Sequence, residues 1–203
     1  MVDYRKVNKN ICFDSYPLPK IEQAFQHFSG AKVFSVLDLN SAYYQIPLTP
    51  QSRRITAFCT PYGLYEFNKL PTRISIGCQG LSHVVDNLFA DLKGEYVFNY
   101  FDNLVVYSAS ISERQEHLTE VLGRLQLAGF TLNMEKIVLS ASEIKYLGHY
   151  LSSRGIRVIP DRVEAIKQYP CPRNLRGVRR FLGMVSFMLD LFPNFHEPHH
   201  YID

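Results

Sequence analysis

At 203 residues the chain can bury one sizeable core with a small appendage, but falls short of two full domains. Its 46% apolar, 13% aromatic and 20% charged residues exclude a disordered chain, a coiled coil and a collagen-like repeat. The surplus of 22 Lys and Arg over 19 Asp and Glu is too small to establish a nucleic-acid partner by its sum.

From the N-terminus, Ile21, Ala24, Phe25 and Phe28 at helical spacing predict a short helix over 19–28, closed by Ser29-Gly30. Val33 to Leu39 is β-branched and apolar, as a strand buried on both faces is, and carries Asp38 near its end. Arg54–Cys59 and Leu64–Leu70 predict a hairpin around Pro61-Tyr62-Gly63. Gln79 to Leu92 presents Leu81, Val84, Val85, Leu88, Phe89 and Leu92 on one helical face. In YVFNYFDNLVVY, residues 96–107, two strand-like runs flank the polar pair Asp102-Asn103, which predicts a second hairpin with that pair at its tip.

Ser112 with Gln115 resembles a capping box, followed by the stripe Leu118, Val121, Leu122, Leu125 and a stop at Gly129. Short strand-like runs (KIVLS, IKYLGHYL, GIRV) alternate with turns over 131–158. A helix over 161–168 precedes Pro170 and Pro172, and Asn174 caps a last helix running to about Leu191. Residues from about 159 onward therefore read as a small helical subdomain. Cys12, Cys59, Cys78 and Cys171 form no CxxC pair, which indicates reduced thiols rather than a zinc site or a disulfide framework. No apolar run approaches the roughly 18 residues of a membrane span, and MVDYRKVNKN lacks a secretory signal pattern. A soluble intracellular protein, cytoplasmic or nuclear and not secreted, is expected.

Two acids are informative: Asp38 at a strand end and Asp102 at a hairpin tip. Convergent carboxylates bind magnesium, and two ions held between them and a triphosphate can activate a 3′-hydroxyl and stabilise leaving pyrophosphate. Spacing alone does not assign that role, since acids at strand ends and turns are ordinary.

The wording around the acids says more. VLDLNSAYYQIPL (36–48), RRITAFCTPYGLYEFNKLP (53–71), YFDN (100–103), LQLAGFTLNMEK (125–136) and KYLGHYL (145–151) stand in the order found in reverse transcriptases. Together with VDYRKVN at the start and LRGVRRFLGMVSF at 175–187, they resemble the reverse transcriptase domain of gypsy-type LTR retrotransposon polyproteins up to about Phe195.

The resemblance implies an α+β fold: an antiparallel palm sheet backed by helices, with partial fingers before it and the start of a thumb after it. Residues 1–158 would be partial fingers and palm, 159–195 a helical thumb-like segment, and 196–203 a tail. Asp38 matches the first catalytic aspartate, and Asp102 the first acid of the YxDD box. Both would be Mg2+ ligands, with Tyr100 the leading aromatic of the box. Tyr43 resembles the aromatic gate at the sugar 2′ position, and Lys136 the lysine proposed to protonate pyrophosphate. Leu147 and Gly148 resemble the loop that grips the primer end. The implied partners are an RNA or DNA template with its primer and a dNTP, without a membrane; the oligomeric state is left open.

Three departures break the pattern. Asn103 stands where the family has the second acid, removing a charge worth roughly 4 kcal/mol per pair at 4 Å before solvation offsets it. Arg73 follows Leu70-Pro71-Thr72 where the family has glycine, which predicts either a crowded cleft or an arginine turned outward onto a phosphate, at a backbone position suited to glycine. Both ends are shorter than the family's polymerase region, as in a polyprotein fragment or a relic reading frame. Two functional readings follow: an RNA-directed DNA polymerase of weak or lost activity, or an inactive nucleic-acid-binding domesticated protein or retroelement relic.

Arg173, Arg176, Arg179 and Arg180 fall mostly on one helical face, suiting either a phosphate backbone or solvent. His196, His199 and His200 read as a polar tail rather than a metal site. Tyr43 and Tyr44, if on a strand, would face opposite sides, only one of them toward the cleft.

Overall fold

The computed structural model describes residues 2–12 and 27–189. The predicted helix over 19–28, apart from its last two residues, and the histidine tail lie outside them.

A four-stranded antiparallel sheet in the order β4-β5-β1-β6 forms the centre: β1 Val33–Asp38, β4 Val97–Tyr100, β5 Asn103–Ser108 and β6 Val138–Ala141. Both faces of β1 and β5 are buried, which accounts for their nearly continuous apolar runs. Side-chain alternation sorts them into two cores. Leu37, Leu104 and Val106 face helices α3 (Gly77–Leu88) and α4 (Ile111–Leu127), meeting Leu81, Val85, Leu118, Val121 and Leu125. Phe34, Phe98, Val105 and Tyr107 face the other way, against Phe28 and a three-stranded sheet of β7 Glu143–Tyr146, β8 His149–Ser152 and β9 Gly155–Val158. Phe28 meets Phe34, Phe98, Tyr107 and Tyr146 edge to face, an arrangement that adds to area burial.

Around this centre lie α1 (Arg5–Asn10), a 3-10 turn at Ala42–Gln45, α2 (Pro50–Ile55) and the short hairpin β2 Phe58–Thr60 with β3 Gly63–Tyr65. After β9 come α5 (Pro160–Lys167) and α6 (Leu175–Leu189). The Asn174 side chain accepts the Gly177 N–H at 2.8 Å, the expected cap. No helix among the described residues is long and apolar enough to cross a membrane.

Several local expectations are corrected. Arg54 and Ile55 are helical, because Thr49 caps and Pro50 opens α2; the hairpin that follows keeps only three residues per strand. The tip of the β4–β5 hairpin is Phe101-Asp102, since Tyr100 pairs with Asn103, so Asn103 begins β5. Phe101 alone of the two tip residues has a positive φ, 57°. Helix α4 is capped by Ser110, not Ser112: the Ser110 hydroxyl accepts the Glu113 N–H, and the Glu113 carboxylate accepts the Ala109 N–H, both at 3.2 Å. Gly129, with φ of 77°, ends this helix as expected. Leu122 and Val84 are 37% exposed, so each predicted stripe is one residue too wide.

Ser110→Ala is therefore expected to cost about 1 kcal/mol in urea unfolding, and Ser112→Ala less than about 0.5 kcal/mol. Equal effects would place the cap wrongly.

Candidate active site

Pairing of β1 with β5 sets Asp38 directly opposite Asn103, and the tip residue Asp102 adjoins both. The Leu39 N–H donates to the Asp102 carbonyl at 3.3 Å, so the two acid-bearing backbones touch. The Asp38 side chain is 12% exposed, and the Lys136 ammonium lies 3.4 Å from its Oδ2. The Asn103 amide donates to Asp102 Oδ1 at 3.3 Å. Each carboxylate thus has a donor of its own beside it.

Lys136 is held there by backbone. The Asn133 N–H donates to the Asp38 carbonyl at 2.9 Å, and the Lys136 N–H donates to the Asn133 carbonyl at 3.1 Å. Gln45, which sequence reasoning missed, locks the same loop: its amide donates to the carbonyls of Asn40 and Thr131, and its oxygen accepts the Thr131 N–H at 2.7 Å. A single glutamine after two tyrosines gives no signal of a pairing 86 residues away.

Tyr43 lies on the 3-10 turn rather than on a strand. Its half-buried hydroxyl is 2.9 Å from Cys78 Sγ. Burial first, then Cys78 and the charge of Asp102, hold that hydroxyl neutral well above the ordinary tyrosine range. Tyr44 is 45% exposed, so of the two it is Tyr43 that lies within reach of Asp102's charge. Tyr100 ends β4 and packs edge to face on Phe101 with centroids 4.6 Å apart.

Leu147 and Gly148 form the two-residue turn between β7 and β8, both with positive φ (47° and 81°). The preceding Tyr146 joins that turn to the acid tip. Its hydroxyl donates to the Asn103 carbonyl at 3.4 Å, and burial, then Tyr100 and Asp102, push its ionisation well up. Arg173, Arg176 and Arg180 line a cavity of about 350 Å³ with Tyr169, Pro172 and Asn174, and Arg179 is exposed beside it. These arginines belong to α6 and its approach, outside the network joining Asp38, Asp102, Lys136 and Tyr146.

The donor set fits a hard divalent ion. Mg2+ uses one or two carboxylates and completes its shell with water and substrate phosphates, and Asp38 and Asp102 supply two. Among the described residues there is no cluster of three His, Cys, Asp or Glu that could hold a metal ion.

Arg73 has φ of 74°, a left-handed conformation that strains any side chain with a Cβ. Asn8 holds it: the Asn8 amide donates to the Arg73 carbonyl at 2.9 Å and its oxygen accepts the Ser75 N–H at 3.0 Å. The arginine is exposed and borders a cavity shared with Asp3, Tyr4 and Arg5, close enough for its charge to act on Asp3. Arg73→Gly should stabilise the fold by about 0.5–1 kcal/mol in urea unfolding, whereas Arg73→Ala, which keeps the strain, should not.

The sequence profile of the reverse transcriptase (RNA-dependent DNA polymerase) family matches residues 1–151. The Transposon Tf2-7 polyprotein of Schizosaccharomyces pombe is 31% identical over 95% of the chain, which covers 14% of that protein. The Retrovirus-related Pol polyprotein from transposon 412 of Drosophila melanogaster is 32% identical over 96% of the chain and 16% of its own length. The chain therefore spans about one-seventh of the curated relatives it matches. Among solved structures, the foamy viral protease-reverse transcriptase in complex with dsDNA shares the fold with a TM-score of 0.83 at 24% identity, over 97% of this chain and 41% of that one. The same kind of protein in complex with RNA/DNA hybrid gives 0.77 at 24% identity, over 92% and 25%.

Proposed function

Because the chain belongs to the reverse transcriptase family of gypsy-type retrotransposons, we propose that it is a magnesium-dependent RNA-directed DNA polymerase domain whose activity is weak or lost. The observation that carries this reading is the β1–β5 register, which sets Asp38 against Asn103 with Asp102 adjoining. Residues 1–158 act as partial fingers and palm and 159–195 as a thumb-like segment.

Asp38 and Asp102 would hold the divalent ion, which would supply activation of the primer 3′-hydroxyl and charge stabilisation for the leaving pyrophosphate. Tyr43 bounds the space for the sugar, Tyr100 supports the tip, and Leu147-Gly148 bear on the primer end. Lys136 keeps a proton at Nζ beside Asp38, available to the leaving group. The template and primer are nucleic acid, a reading supported by the similarly folded foamy viral proteins solved in complex with dsDNA or RNA/DNA hybrid. A dNTP is the other substrate.

Asn103 supplies no charge where a third carboxylate would stand. In primer extension on a poly-ribonucleotide template with Mg2+, the natural chain should give little product, and Asn103→Asp should raise it at least about tenfold. Asp38→Asn should abolish what remains. Robust extension by the natural chain, or no gain in Asn103→Asp, would leave charge loss without the role assigned here.

The second reading, nucleic-acid binding without chemistry, is favoured by the same Asn103, because the cationic groups of α6 do not depend on it. Binding to a primer–template duplex should be weak and sequence-independent. Its log affinity should fall with log salt by roughly 0.7–0.9 per phosphate contacted, and replacing Arg176 and Arg179 by alanine should lower that slope by up to about two units. Binding indifferent to both arginines would move the contact surface elsewhere.

A further inference from the structure

One wall of the proposed nucleotide site is built by two residues with no part in metal binding. The Tyr43 ring lies against the first turn of α3, with its ring carbon 3.3 Å from where a Cβ on Gly77 would stand. Gly77 is buried and helical, so this side of the slot is backbone that does not shift. The next residue, Cys78, meets the Tyr43 hydroxyl at 2.9 Å. The ring is therefore seated on bare backbone along its edge and tethered at its tip. Asp102 lies near enough for its charge to act on the same hydroxyl, so the tether and the catalytic tip converge on one ring.

We infer that Cys78, with Gly77, is a positioning residue for Tyr43 and sets how strongly the site prefers a deoxyribose to a ribose on the incoming nucleotide. This rests on the reading of Tyr43 as the sugar gate. A ring held at both edge and tip keeps its tilt when a 2′-hydroxyl presses on it, whereas a ring held only by packing yields. Loss of the Cys78 contact frees the tip and enlarges the slot. A methyl at Gly77 acts on the other contact: at 3.3 Å the ring must give by a few tenths of an ångström away from that turn of α3, which also pulls its hydroxyl from Cys78.

The test does not require turnover. The full chain is bound to a primer–template whose primer is chain-terminated, with Mg2+, and the complex is titrated with the next complementary dNTP or rNTP. Cys78→Ala should narrow the dNTP preference about fivefold, the factor carried by one neutral hydrogen bond, and Cys78→Ser, which keeps a donor and acceptor, should restore it to within about twofold. Gly77→Ala, which unseats the same ring, should also narrow the preference. In parallel, Cys78 alkylation by iodoacetamide, mapped by peptide mass spectrometry, should be faster in Tyr43→Phe, which keeps the ring and drops the hydroxyl. An unchanged preference in Cys78→Ala, or no restoration in Cys78→Ser, would overturn the inference. So would alkylation indifferent to Tyr43→Phe. Intact thiol protection with no nucleotide-dependent complex in any variant would instead overturn the polymerase reading, and this inference with it.

Discussion

The structure depends on the antiparallel pairing of β1 with β5. Six consecutive pairs run from Val33–Ser108 to Asp38–Asn103, and the last of them is the candidate site. Side chains alternate along a strand, so a slip of one residue would exchange the two cores and turn Leu37 and Leu104 away from α3 and α4. Burial on both faces thus fixes the register, and the register fixes where the acids stand. Asp38 and Asp102 are placed by hydrophobic residues that take no part in chemistry. The tip can carry a polar edge because the strands behind it are held by largely apolar cores on both faces.

The charge at that edge is in tension with folding. Three carboxylates around one point repel one another when no cation is bound, and like charges at close range raise the cost of ionising any of them. Asn103 removes one partner of that repulsion and adds an amide that donates to Asp102. Lys136 does the same service for Asp38. Each acid therefore has a hydrogen-bond donor beside it, so the local charge is balanced by the chain's own groups.

Much of the fold was legible because its signals are strong and local. Apolar runs gave β1, β4 and β5, the stripe of Leu118, Val121 and Leu125 gave α4, and Asn174 gave the start of α6. The misses have physical causes. Thr49-Pro50 is a helix start, yet Ile55, Phe58 and Cys59 downstream read as strand, and the cap outweighs their propensity. The tip was displaced by one residue because Asp and Asn favour turns, while pairing across β4 and β5 demanded Phe101 at the turn instead. At the site, Lys136 lies beside Asp38 and the backbone of Asp102 adjoins that of Leu39, while Gln45, Tyr146 and Cys78 act through contacts 35 to 86 residues distant. No local pattern encodes such pairs.

Backbone strain marks the loops around the candidate site. Phe101, Leu147, Ser41 and Arg73 all hold left-handed conformations in or beside the site: the acid tip, the β7–β8 turn, the entry to the Tyr43 turn and the Leu70-Pro71 loop. Such strain, of order 1–3 kcal/mol per residue, persists only where neighbours over-determine it. Phe101 is pinned by the strand pairing of Tyr100 with Asn103, and Arg73 by the two hydrogen bonds of Asn8. The backbone path around the candidate site is thus enforced by its neighbours, even at Arg73, whose side chain is ill suited to it. Asn103 removes charge without touching that path, and Arg73 burdens the path without touching the acids. The two changes act through independent physical terms, one electrostatic and one conformational, so restoring either does not restore the other.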